Sequence, residues 1–165
     1  MTRNRRQRGS AVLYAILLSP LIMLSLALVV EVGSIQLVKE RLHSAADVAT
    51  VDAAAQASTA SVSGRIDPVL AEAATRQALY DNLAPLGQQV ATGDISSIAN
   101  NAQVYVITSV PAQDPLHPGQ TLTAPAIESR MVVPVRSGLL SVAGLPNTLN
   151  VTIDSLATVS ESGTT

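Results

Sequence analysis

The 165-residue chain has no cysteine, no tryptophan and no phenylalanine, and only three tyrosines. Without thiols there is no disulfide, no thiolate nucleophile and no cysteine-ligated metal. Without large aromatics a core must be built from Ala, Val, Leu and Ile, which bury little area per residue. Such a domain leans on partners for stability. Imidazoles are equally scarce, with His43 and His117 the only two. His43 and Asp47, at i, i+4 on a helix, offer two ligands, too few for a metal site. His117 lies between Leu116 and Pro118, with no Ser or Asp placed for a triad. Glycines occur singly, so no loop cradles a phosphate. Asp47 and Asp52 are five apart on a helix and face different ways, which argues against shared acid–base work. The expectation is a protein that is not an enzyme, with no catalytic, cofactor-binding or metal-ligating residues and no cofactor.

Charge is sparse too, and unevenly placed. The net charge is −2, yet Arg3, Arg5, Arg6 and Arg8 put four positive charges into the first nine residues, with no acid among them. The remainder is acidic. That balance excludes a nucleic-acid partner for the arginines, and the apolar run beside them gives their position another explanation.

Ala11 to Val30 is twenty residues with no ionisable side chain except the neutral Tyr14. At 1.5 Å rise per residue such a helix spans roughly 30 Å, the hydrocarbon thickness of a bilayer. Its seven Leu, two Ile and three Val favour insertion by roughly 4 to 7 kcal/mol. Pro20 sits near the middle, between Leu17 and Leu24, and transmembrane helices tolerate proline. Arginines immediately before the span predict a cytoplasmic N-terminus and an exported C-terminal bulk. The run is long for a signal peptide, and Glu31-Val-Gly-Ser-Ile-Gln offers no Ala-x-Ala cleavage site, so the span is expected to stay as an anchor. Gly9-Ser10 admits two readings: Ser10 as a helix N-cap with Gly9 as a flexible entry, or a processing site just before the apolar run.

The helix is expected to continue outward. Ile35, Val38, Leu42, Ala46, Ala49, Ala53 and Ala57 recur at steps of three and four on one face. Ala45, Ala49, Ala53 and Ala57 repeat every fourth residue, a spacing that lets helices approach closely. Anchor and extension together predict one rod of about 50 residues, roughly 75 Å long. Its apolar face needs cover, from its own domain or from neighbouring subunits. Glu31 stands at the end of the span, either as a solvated membrane exit or as a carboxylate paired during assembly.

Ser61-Val-Ser-Gly64 is expected to end the rod, and Asp67-Pro68 to open a second helix reaching about Leu83. Leu70, Ala73, Ala74, Ala78 and Leu79 lie on or near one face of it. Ala84 to Asn101 is turn-rich. Strand-like alternation marks 103–110, 127–135 and 150–159. Between the first two, Pro111, Pro115, Pro118 and Pro125 disfavour helix or sheet interior. Gly138 to Gly144 is a short apolar turn or helix. The fold class is therefore α+β, a long N-terminal helix followed by a small exported domain with a second helix and about three antiparallel strands.

Several of these features coincide in one family. The Arg-Gly lead, the apolar span, Glu31-Val32-Gly33 and Leu42-His-Ser-Ala45-Ala46-Asp47-Val-Ala49 resemble the N-terminal region of TadE- and TadG-like pilus-assembly proteins. Met131-Val-Val-Pro-Val-Arg, Leu139-Leu-Ser-Val-Ala-Gly144 and Val151-Thr-Ile-Asp-Ser-Leu-Ala157 resemble that family's closing strands and short helix. The resemblance implies a minor pilin or pseudopilin of the tight-adherence (Flp) machinery, held in the bacterial inner membrane with its domain outside. It also implies processing after Gly9 by a prepilin-type peptidase, although Tyr14 stands where such pseudopilins carry Glu.

The expected organisation is a basic cytoplasmic lead (1–9), a transmembrane helix (10–31), an alanine-rich helical extension (32–62) and an α+β exported domain (63–165). Assembly would run through Glu31, Ile35, Val38, Leu42, Ala45, Ala46, Ala49, Ala53 and Ala57. The partners would be the lipid bilayer, other pilus or pseudopilin subunits and the assembly platform, in a homo- or hetero-oligomer. A competing reading is a single-pass, membrane-tethered binding module that scaffolds an envelope or secretion complex without entering a filament.

Overall fold

The first helix, α1, takes in Asn4–Ala60 and continues through Pro20. The structure, a computed structural model, describes residues 4–60, 66–138 and 147–159, with side chains from 13 to 58 in α1. The turn expected at 61–64 and most of the apolar segment at 138–144 lie outside the described residues. Two compact units divide the chain, one of residues 1–36 with 137–147, the other of 37–136 with 148–165.

In the first unit, the described side chains of the apolar run are exposed except for a half-buried Ala27, with Leu17 at 64%, Leu24 at 61% and Val30 at 69%.

The second unit is built around an antiparallel sheet in the order β1-β4-β5, from Gln103–Ile107, Ala126–Arg136 and Thr148–Thr158. Its register sets Met131 against Ile153 and Val133 against Val151, and Val106 against Ile127. Because side chains alternate across a pleated strand, Met131, Val133, Val135, Val151 and Ile153 all share one buried face. Three helices supply the other layer of the core: α1 from Leu37 onward, α2 (Pro68–Leu83) and α3 (Ile95–Asn101). Leu42, Ala46 and Ala49 of α1 join Leu79 and Leu83 of α2 and Ile95 and Ile98 of α3 in that core. A second cluster gathers Ala53, Ala54 and Ala57 with Ala71, Ile127 and Ala157.

Helix starts follow from their caps. Asp67 Oδ1 accepts from the Val69 and Leu70 N–H groups at 2.9 and 3.4 Å, with Pro68 in the first turn. α3 begins at Asp94, whose Oδ1 accepts from Ser97 N–H at 3.0 Å. The Ser96 hydroxyl and the Ser97 amide on that carboxylate hold its pKa below the ordinary value.

The turn-rich reading of 84–101 missed α3 and a short 3₁₀ turn at Ala84–Leu86. The proline loop likewise holds a small hairpin, β2 (Ala112–Gln113) with β3 (Thr121–Leu122). β1 ends at Ile107, three residues before the expected limit. On α2 the inward residues are Ala71, Thr75, Ala78, Leu79 and Leu83, while Leu70 stands 59% exposed. Pro134 in the central strand β4 is explained by its neighbour. Val90 lies beside it in a single bridge to Val135, and the Pro134 carbonyl accepts from Ala91 N–H at 2.7 Å. A missing donor is tolerated where no regular ladder runs.

Candidate functional site

Among the described residues one helix is long and apolar enough to cross a membrane, with a window of mean hydropathy 2.5 that is 0% buried. Leu17, Pro20, Leu24 and Val30 fall in it and are exposed. Ala11 lies in the helical backbone that precedes it. Arg5, Arg6, Arg8, Gly9 and Ser10 are also part of α1, which begins at Asn4, while Arg3 lies outside the described residues. Ser10 is therefore not the helix N-cap, since a turn of helix already precedes it.

Glu31 is not a solvated exit. It is only 9% exposed and accepts a short hydrogen bond from the Ser137 hydroxyl. Gly138 lies beside the same carboxylate, where a Cβ would stand in ordinary contact 4.0 Å from Glu31 Oε2. Pairing of this kind is what a carboxylate beside an apolar span requires. The Ser137 hydroxyl that supplies it belongs to the same chain.

The alanine face of α1 is covered within the domain. Leu42, Ala49 and Ala53 are fully buried, and Ala46 and Ala57 nearly so. Val38 and Ala45 pack partly against the same core, and Ile35 is half-buried. Polar contacts fix the helix over the sheet. Ser155 Oγ donates to Asp47 Oδ1 at 2.7 Å, and Thr50 Oγ1 meets Ser129 Oγ at 3.3 Å while donating to the Ala46 carbonyl. Small residues let the helix settle close to the strands. The opposite side of the helix carries Val48 and Val51, 48% and 57% exposed.

Sequence reasoning missed a group of polar side chains on the far face of the sheet. Asp114, in the proline loop, is 4% exposed. Its Oδ1 accepts from the N–H groups of Leu116 at 2.8 Å and His117 at 2.7 Å, and its Oδ2 lies 3.1 Å from His117 Nδ1. Glu128 of β4 is 1% exposed, and neither carboxylate oxygen has a hydrogen-bond partner among the described residues. Burial, and then the Asp114 charge beside it, push its pKa up to about 7. The amides on Asp114 outweigh its own burial and hold its carboxyl below the ordinary value. One ligand atom from each of Asp114, His117 and Glu128 lies within 4.8 Å of the others. The available signal was the Asp-x-x-His spacing closed as an Asx turn. Strand alternation would have sent Glu128 to water, as nothing local shows that the loop folds over it.

His43 Nε2 is 3.9 Å from Asp47 Oδ2, both side chains about half exposed, and no third ligand joins them among the described residues.

Comparison with curated proteins and with solved structures returned no match. A family model does match, that of the Flp pilus-assembly TadE/G-like family, over residues 9–57. Those residues hold the exposed apolar run, Glu31 and the inward face of α1, and end before α2. The resemblance expected at the N-terminal region is thus borne out, and the closing stretch 131–159 lies beyond the match. Over residues 9–57, which carry the membrane-length helix and the start of its buried extension, the chain is similar to the TadE/G-like pilus-assembly family.

Proposed function

We propose that the protein is a membrane-anchored structural subunit of a tight-adherence pilus system, of the minor pilin or pseudopilin kind. One observation carries the reading: the residues that match the family include a helix of membrane length whose described large apolar side chains are exposed. The lead 1–9 would lie in the cytoplasm, 10–31 in the inner membrane, and the extension 32–62 would enter the exported domain 63–165 as part of its core. Assembly with other subunits would use the apolar span and the outward line of α1 through Leu37, Val48 and Val51, all exposed. Work of this kind is done by packing, without a catalytic step.

The chain's lack of cysteine makes a clean test possible. Single Val48→Cys and Ala49→Cys variants, expressed with the pilus machinery, are treated with a membrane-permeant crosslinker. The proposal expects adducts with pilus subunits from Val48→Cys and none from Ala49→Cys. Adducts from neither, with the chain extracted by alkaline carbonate, would refute it.

A second reading, a tethered scaffold that never enters a filament, draws support from the burial of the alanine face inside the domain, which removes the most helix-like docking surface. Sheared extracellular filaments that contain the chain would decide against it. Mass spectrometry of the native N-terminus decides the processing question, as a chain starting at Ser10 has been cut after Gly9.

A further inference from the structure

We propose that Asp114, His117 and Glu128 bind a divalent transition-metal ion of the zinc class, which ties the proline loop to the central strand of the sheet. Three side chains from two separate elements converge there. Each offers one ligand atom, and all three atoms lie within 4.8 Å of one another. The independent sign of a ligand is Glu128. Its side chain is all but fully buried, and both carboxylate oxygens lack a partner among the described residues. It belongs to the same cluster as Asp114 and His117. A buried polar group without a partner costs free energy unless something satisfies it.

The loop geometry prepares the other two ligands. Asp114 spends Oδ1 on the Leu116 and His117 amides, which locks the carboxylate and leaves Oδ2 beside His117 Nδ1 at 3.1 Å. Ligands at about 2.0–2.2 Å from a tetrahedral ion stand about 3.3–3.6 Å apart. The Asp114–His117 edge is nearly that long already. A Glu128 carboxylate oxygen lies within 4.8 Å of both and would complete the set.

The donor set selects the metal. An imidazole nitrogen with two carboxylates suits zinc and its first-row neighbours, whereas calcium and magnesium take six or more oxygens. Three protein ligands leave a fourth position for water, on the side where the His117 ring is 46% exposed. In a chain without disulfides, such an ion would serve as the staple that small exported domains otherwise obtain from cysteines.

The test uses the full-length, tag-free chain in non-ionic detergent, stripped with EDTA and dialysed against zinc chloride. Metal content is read by mass spectrometry and stability by thermal unfolding. The wild type should retain equimolar zinc and unfold at higher temperature than the stripped chain. His117→Gln and Glu128→Gln should retain none and show no shift, while His43→Gln behaves as wild type. The proposal is overturned if the wild type retains no zinc, if His43→Gln rather than His117→Gln abolishes binding, or if calcium displaces zinc at equal concentration. It is also overturned if Glu128→Gln raises stability while zinc has no effect on the wild type, which would make the cluster a carboxyl pair sharing a proton. Should Glu128→Gln fail to fold, His117→Gln decides alone, because its half-exposed ring is not part of the core.

Discussion

Replacing Glu128 by Gln should stabilise the metal-free protein at neutral and higher pH and do nothing in acid. The carboxyl's pKa rises from the ordinary 4.5 to about 7, first through burial and then through the charge of Asp114. An acid with a raised pKa holds a proton in the folded state that the unfolded chain releases. Between about 4.5 and 7 the native state binds more protons, so stability falls as pH rises through that window and stays low above it. Converted at 1.36 kcal/mol per pH unit, the full penalty is about 3 kcal/mol. Gln has nearly the same shape and no charge to bury, and its amide can donate to the neighbouring Asp114 carboxylate. Urea unfolding of full-length wild type and variant in non-ionic detergent with EDTA, from pH 4.5 to 8, reads the difference directly. The two midpoints should coincide at the acid end and separate steadily up to pH 7, the variant being the more stable. A difference independent of pH would refute the reasoning, as would a wild type that gains on the variant with rising pH.

Three further outcomes concern the core and its caps. Leu79→Ala empties a side chain that is fully buried between helices and sheet and should cost about 2–5 kcal/mol, measured by the same urea unfolding. Arg76 of α2 pairs with Glu72 at 2.8 Å and donates to the carbonyls of Ala99, Asn100 and Ala102, where α3 ends with unpaired acceptors. Arg76→Ala should therefore cost about 1–3 kcal/mol and speed hydrogen exchange in α3 before the sheet responds. Asp154, held below its ordinary pKa first by the Arg130 guanidinium at 2.6 Å, contributes stability above the unfolded carboxyl range that is lost as pH falls through its folded value. With both side chains about one-third exposed, Arg130→Ala should cost no more than about 1 kcal/mol, and the cost should shrink in acid and in high salt.

Much of the fold could be read from the residues because local chemistry specifies it. Asp67-Pro68 names a helix start by itself, and α2 runs from Pro68 to Leu83 as its cap and length require. The alternation of 127–135 and 150–159 put Met131, Val133, Val151 and Ile153 on one face, and they are there. What was not legible depends on contacts distant in sequence. The seven residues of α3 are too few to establish a period, although Asp94 before Ile95 and Ile98 was a cap signal. Strands of two residues, β2 and β3, carry no alternation at all. Glu128 shows the limit most clearly. Its position in the strand predicts a solvated face, and only the fold of the proline loop over β4 makes it a buried carboxylate beside Asp114.

The alanine face of α1 illustrates a different limit, and it bears on assembly. A stripe of Leu42, Ala46, Ala49, Ala53 and Ala57 states that something must cover the helix, but not what. In the structure the cover is this chain's own sheet and second helix, and the residues 37–60 are part of the same compact unit as the strands. A domain with so few aromatics obtains its core by borrowing the C-terminal part of its long first helix. Residues 37–60 of α1 and the sheet are then not separable pieces, because a cut at Ala60 would strip Leu42, Ala46, Ala49, Ala53, Ala54 and Ala57 from the buried set. If subunits pack through α1, the contact belongs to residues the domain leaves uncovered, the span itself and the outward Leu37, Val48 and Val51. Assembly through the outward face leaves the fold intact, whereas assembly through the alanine face would require the sheet to let go.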